Sequence, residues 1–144
     1  MQKTFTPKVV KATEQKWYIV DATDKVVGKL ATRVADALRG KDLPTFTPHM
    51  DMGAYVVIIN SDKVRFTGKK LEDKIYYRHS GFKGGIKAET AASVMEKNSK
   101  KVIVEAVKNM LPNNKLRKHF LAKLKVFKDA QHTHEAQKPV SLEI

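Results

Sequence analysis

Apolar positions change their spacing several times along this chain, and each change marks an element. Trp17-Tyr-Ile-Val-Asp21 is a run of aromatic and β-branched residues, which predicts a strand. Val27, Leu30, Ala31, Val34, Ala35 and Leu38 then recur at helical spacing, with Asp24 as the expected cap and Gly40 as the stop. Pro44 and Pro48 mark a loop. Tyr55 to Asn60 is apolar without alternation, which suits a strand covered on both faces. Lys63 to Thr67 predicts a third strand ended by Gly68, and a short helix is expected over Leu71 to Tyr76. Tyr77 to Gly85 carries three glycines and reads as a loop. Helical spacing returns over 88–97 and 100–110 and is broken by Pro112, Asn113 and Asn114. Leu116, Phe120 and Leu121 predict another helix, Leu124 to Phe127 a last strand, and the polar segment from Gln131 an extended tail.

Strand, helix, strand, then further strand and helix predicts an α/β layer fold with a mostly parallel sheet. At 144 residues the natural count is one domain. We divide it into an N-terminal extension over 1–15, an α/β core over 16–128 and an extended tail over 129–144. The longest uninterrupted apolar run, Ala54 to Ile59, is strand-length and far short of the roughly 20 residues of a spanning helix. The first 17 residues are basic, yet they lack the apolar centre of a signal peptide and the Arg and Ser of a transit peptide. A cytoplasmic protein with no membrane partner is expected.

Composition sharpens the picture through charge. The net charge is +13, a balance that points to a polyanionic partner. Residues 63–87 carry +6 and residues 97–128 carry +9, whereas 21–62 sums to −1. A uniformly solubilising surface would not be distributed this way. Lysines outnumber arginines 23 to 5, which favours backbone and shape recognition over base reading. The bland alternative is a solvated lysine-rich face.

Catalytic chemistry is hard to find. The absence of cysteine excludes disulfides, thiolate metal sites and cysteine nucleophiles. Gly68-Lys69-Lys70 lacks the hydroxyl and the upstream glycine of a P-loop. Gly28 stands alone after the first strand, and Ser80 lacks both glycines of a nucleophile elbow. His132 and His134 could hold a metal weakly, but only Glu135 is near, while His49, His79 and His119 are scattered. Carboxylates cluster nowhere. No catalytic residue, metal or cofactor is expected.

The candidate binding residues centre on 77–85. Gly81, Gly84 and Gly85 let backbone N–H groups approach phosphates. Arg65, Lys69, Lys70, Lys74, Arg78, Lys83 and Lys87 surround the loop, and His79 and Ser80 lie within it. Tyr76, Tyr77, His79 and Phe82 supply rings able to stack on unpaired bases. The competing reading puts Tyr76 and Phe82 in the core and makes the glycines plain turns. The second basic segment adds Lys108, Lys115, Arg117, Lys118 and Lys123 as RNA-binding candidates.

These residues, in order, carry a family resemblance. Trp17 to Ala22 with Val27-Gly-Lys-Leu-Ala31, Leu38-Arg-Gly-Lys41 and Thr47-Pro-His49 with Asp51 and Gly53 come first. Tyr76-Tyr-Arg-His-Ser-Gly81 with Gly84-Gly85 follows, then Ala106-Val-Lys108 and Met110-Leu-Pro112. Lys123-Leu-Lys-Val126, Ala136-Gln137 and Leu142-Glu143 complete the set. In this order the chain resembles the bacterial form of the large-subunit ribosomal protein 13 family. It departs from the family where Ala54 stands for Asp and Lys83 for Pro. Asn109 and Asn113 stand for Gly and Lys, and Leu116-Arg117-Lys118 for Leu-Gly-Arg, which shifts cations by a residue.

The resemblance implies a three-layer α/β/α domain bound to large-subunit ribosomal RNA. It implies an architectural and assembly role without catalysis or homo-oligomers, with other large-subunit proteins as neighbours. Binding of its own messenger RNA, with translational autoregulation, is a further implication. The main competitor is a nucleotide-binding α/β enzyme, since layer folds host many activities. A DNA-binding regulator is a second competitor, opposed by the lack of a recognisable helix-turn-helix.

Overall fold

The computed structural model describes residues 6–8 and 14–144. Most of the extension expected over 1–15 lies outside them. Four strands form the central sheet: β1 (Trp17–Asp21), β2 (Tyr55–Ile59), β5 (Leu124–Val126) and β6 (Val140–Ser141). Their order is β5-β2-β1-β6 and every neighbouring pair is parallel, as the patterning predicts. β2 is interior, and Val56, Val57 and Ile58 are all fully buried. That is why it shows no alternation.

Helices flank this sheet. α1 (Val27–Arg39) joins β1 to β2 and buries the predicted stripe from Val27 to Leu38. Tyr18 and Val20 of β1, and Val56 and Ile58 of β2, meet that stripe in the core together with Val102, Ile103 and Val107 of α3 (Ala91–Met110). α4 (Arg117–Ala122) adds Phe120. Alternation puts the remaining strand residues on the opposite face. There Trp17 stacks on Tyr55, centroids 4.3 Å apart and planes 6° from parallel. His134 lies 5.1 Å from the Trp17 ring, and His132 and His134 both abut Phe127. The segment carrying them includes a one-turn 3-10 helix, Glu135–Gln137, and ends in β6.

Several expectations need correction. Asp24 does not cap α1. Its backbone turns at φ +56° and Val26 occupies the N-cap position without a side-chain bond. The N–H of Val27 donates instead to the Arg65 carbonyl at 3.0 Å. The strand expected over Lys63–Thr67 is reduced to a single bridge between Val26 and Arg65, after a 3-10 turn at Ser61–Lys63. Val64 is buried between exposed Lys63 and Arg65, so the alternation is real, but among the described residues the bridge is its only strand pairing.

The expected 71–76 helix is confined to α2 (Lys70–Asp73), because Ile75 and Tyr76 belong to β3 (Ile75–His79). β3 pairs antiparallel with β4 (Ile86–Thr90). Of the predicted 77–85 loop, 80–85 is the turn of this hairpin, while Tyr77, Arg78 and His79 belong to β3. The helix expected from residue 88 begins at Ala91, where the Thr90 hydroxyl accepts from the Ser93 N–H. The expected break between 97 and 100 is present within α3: Asn98 is non-helical, and its side chain accepts from the Lys101 N–H at 3.4 Å to restart the helix.

Gly40 closes α1 in the left-handed conformation, φ +73°. Gly53 passes so close behind α1 that a Cβ there would collide with the Leu38 carbonyl. This approach brings Asp51 and Gly53 to Lys123, at the entry to β5.

Candidate nucleic-acid interface

The β3–β4 hairpin stands on α3. Its base is tied down by the Ala91 N–H donating to the Lys74 carbonyl at 2.8 Å. Register places Tyr76, Arg78, Lys87 and Glu89 on one face. Tyr76 from that face packs on the core, and Glu89 pairs with Lys97 at 3.2 Å and Lys101 at 3.8 Å on α3. The hydrogen bond from Lys97 holds the Glu89 carboxyl below the usual carboxylate range, helped by the charges of Lys97, Lys101 and Arg78. The other face carries Ile75, Tyr77, His79 and Ile86. Tyr77 is 67% and Ile86 63% exposed. At the tip, Phe82 is 81% exposed.

The tip is internally braced. Ser80 N–H donates to the Gly85 carbonyl at 3.0 Å, and Gly85 N–H to the Phe82 carbonyl at 2.9 Å. Gly81 N–H donates to His79 Nδ1 at 2.9 Å. Gly81 and Gly84 sit at φ +91° and +67°, where a side chain would be strained. Two of the three glycine N–H groups are thus engaged within the loop. Any contact with a phosphate would fall mainly to the side chains around it.

Of the candidate cations, Arg65, Lys69, Lys70, Lys74, Arg78, Lys83 and Lys87 are all exposed and gathered around the hairpin and its approach. Lys74 Nζ lies 5.2 Å over the Tyr76 ring. Burial, followed by the charge of Glu105, pushes the Tyr76 hydroxyl above its ordinary pKa. Tyr77 and Phe82 offer open rings, whereas Tyr76 is half-buried, so the core reading holds for Tyr76 and not for Phe82.

The second basic segment divides. Lys115 and Lys118 are exposed. Lys108 sits 3.6 Å from Glu105. Arg117 turns inward, donating from Nε to the Pro112 carbonyl at 3.1 Å and from its terminal nitrogen to the Leu111 carbonyl at 3.0 Å. It closes the end of α3. Lys123 is only 4% exposed and bonds Asp51 and the Gly53 carbonyl. Lys123 is thus corrected from an RNA-facing candidate to an internal clamp, while half-buried Arg117 has its Nε and one terminal nitrogen engaged by protein.

Lys97 and Lys101 were not singled out from sequence, although their i, i+4 spacing on a helix places them on one face beside the hairpin. No group of three or more metal-ligating side chains occurs among the described residues. His132 and His134 instead abut aromatic rings, and His132 Nδ1 accepts from the His134 N–H at 3.2 Å. Among the described residues no helix is long and apolar enough to cross a membrane.

Comparison with known proteins gives a consistent result. The chain is 52% identical over 142 residues to a protein of Micrococcus luteus, covering 99% of this chain and 96% of that relative. It is 51% identical over 141 residues to one from Geobacter sulfurreducens, covering 96% and 99%. A Thermotoga maritima relative is 51% identical over 131 residues, covering 91% and 88%. Each of the three is described as large ribosomal subunit protein uL13. The sequence profile for ribosomal protein L13 matches residues 15–133, and the chain belongs to that family.

Proposed function

We propose that this chain binds and organises large-subunit ribosomal RNA through the β3–β4 hairpin and the exposed lysines and arginines around it. Membership of the family makes it a structural protein of the large ribosomal subunit rather than an enzyme. The observation that carries the RNA reading is the hairpin. It projects open aromatic and aliphatic side chains amid seven exposed candidate cations, an expensive surface to leave bare in water. Stacking of unpaired bases on Tyr77 and Phe82 suits those rings, and lysine-phosphate contacts release counterions. Lysine predominance makes the shape of the folded RNA, more than its base sequence, the thing recognised.

Sucrose-gradient sedimentation of a cell lysate in magnesium tests this reading. Co-migration with the large subunit and almost no free pool is expected. A predominantly free, low-mass protein overturns it. Since the same surface reads shape, a folded leader of the chain's own messenger is a second ligand. Overexpression should then lower translation of a reporter carrying that leader, and unchanged output removes the idea.

A further inference from the structure

Below the hairpin, where α1 begins, lies a cavity of about 320 Å³. Its walls come from the start of α1, the 65–67 segment, α2, the start of β3 and the last turns of α3. The volume falls at the small end of the roughly 300–1,000 Å³ typical of ligand sites, which suits one nucleotide and not an extended cofactor.

Three cations reach this cavity from separate stretches of chain. Arg65 comes from the segment bridged to Val26, Lys70 from α2, and Lys74 from the turn into β3. All three are exposed, and none has a carboxylate within ion-pair distance among the described residues. The inner wall differs in kind. Phe66 and Met110 are apolar, while Glu105 and Asn109 line it about one turn apart on α3, Glu105 with one oxygen 3.6 Å from Lys108 and the other open to accept.

A bare phosphate accounts for the cations but not for this inner wall, where Glu105 would repel it. An apolar ligand accounts for the wall but not for the cations. A planar base joined to a phosphate accounts for both. Glutamate accepts from the cytosine amine and asparagine pairs with adenine, so the wall suits a base that carries an exocyclic amine. Uracil has none.

We propose that the cavity takes one unstacked nucleotide of an RNA strand, its phosphate on Arg65, Lys70 and Lys74 and its amine-bearing base edge on Glu105 and Asn109. The proposal rests on the RNA-binding reading and adds to it a subsite with a base preference. A nucleoside phosphate is the shared chemistry of a strand and of a free nucleotide. The strand is the occupant, because its neighbouring phosphates also meet the open cations along the approach, such as Lys69.

The test is an NMR titration of the full chain at constant salt, reading the Gly28 amide and the Met110 methyl, both at the cavity. The probes are a cytidine pentamer, a uridine pentamer and cytidine 5′-monophosphate. The cytidine pentamer should shift both signals saturably, with uridine binding roughly tenfold more weakly, about one base contact's worth. The monophosphate should bind at least about tenfold more weakly than the pentamer, for lack of flanking phosphates. Lys70→Ala with Lys74→Ala should weaken the cytidine pentamer roughly tenfold or more. Glu105→Gln with Asn109→Leu should bring cytidine and uridine to equal affinity. Thermal melts of both variants confirm folding, and Lys16→Ala serves as an exposed control that leaves the titration unchanged.

Unmoved Gly28 and Met110 signals overturn the proposal. So does equal affinity of the wild type for the two pentamers. A monophosphate binding as tightly as the pentamer makes the occupant a free nucleotide and also overturns it. Each of these outcomes leaves co-sedimentation with the large subunit intact. Loss of that co-sedimentation in the wild-type chain would instead remove the larger reading.

Discussion

Lys123 and Asp51 are 72 residues apart in sequence and form an ion pair beside the first residue of β5. Lys123 is buried, whereas the Asp51 side chain keeps partial access to solvent. Burial lowers the Lys123 pKa, and Asp51 offsets part of that effect. The pair clips the 40–54 segment to the sheet. Removing either partner is therefore unequal: Asp51→Ala strands a buried ammonium, while Lys123→Met leaves a carboxylate that water can reach. Urea unfolding should show Asp51→Ala costing about 2–4 kcal/mol, somewhat under the full penalty of a broken buried pair. Lys123→Met should cost less, and the double variant should recover most of the loss. Equal costs for the two single variants would mean that burial of Lys123 does not govern the site.

Gly53 supports the same clip by lying against the Leu38 carbonyl. Gly53→Ala must push the backbone away from α1, with a cost above about 4 kcal/mol, in the tail reserved for disrupted cores. Gly28→Ala, where nothing lies near an added Cβ, should be tolerated. Comparing their thermal midpoints checks both statements.

Asp21 gives a pH signature. Its Oδ1 accepts from Asn60 Nδ2 at 2.9 Å, from the Thr23 N–H at 3.0 Å and from Thr23 Oγ1 at 2.7 Å. These bonds, Asn60 first, hold the carboxyl below its ordinary value of 3.8. A depressed folded-state pKa contributes stability above the unfolded value and loses it as pH falls through the folded one. Asp21→Asn should therefore reduce stability near neutral pH and flatten its decline below about pH 4. The effect is small because the group is exposed. Unfolding midpoints measured across that range would refute it if wild type and variant fell in parallel.

For the RNA surface, Lys69, Lys70, Arg78 and Lys83 are the informative set. If all four meet phosphate, replacing them with alanine should reduce the slope of log affinity against log salt by roughly 3, at about 0.7–0.9 per phosphate. The exposed Lys8, Lys16 and Lys41 should change it little when substituted together. Equal loss of slope from both sets would mean that the interface lies elsewhere.

Phe82 tests stacking apart from charge. At its exposure, Phe82→Ala should leave the melting temperature unchanged and the salt slope unaltered. Affinity for large-subunit RNA should fall by the roughly 1–3 kcal/mol of one stacked base. Unchanged affinity removes Phe82 from the interface.

Elements whose two faces meet protein were readable in advance. β1, α1 and β2 follow their periodicities because burial fixes the inner stripe of α1 from Val27 to Leu38 and both faces of β2. The hairpin was not readable as strands. Its apolar residues Ile75, Tyr77 and Ile86 face outward and its charged residues Arg78, Lys87 and Glu89 share the face toward α3, the reverse of the usual alternation. The cations around it were identified by number and charge alone, and the seven nearest the hairpin are exposed. Lys123 was misread for a physical reason: a basic run says nothing about which ammonium finds a carboxylate 72 residues away. The cavity at Arg65, Lys70 and Lys74 was equally invisible, since Asn109 and Glu105 join it only through the packing of α3.

β6 has a temporal consequence. Tyr18 pairs with Val140 and Ile19 with Ser141, so β1 receives its outer neighbour only after almost the whole sequence between them has been synthesised. Until then a parallel edge of the sheet is unpaired, a template for sticking to other nascent chains. Stopping translation a dozen codons early would leave the helices and three strands able to assemble while that edge stayed open. Two short pairings, Tyr18 with Val140 and Ile19 with Ser141, thus cover part of an edge that would otherwise stand open along β1.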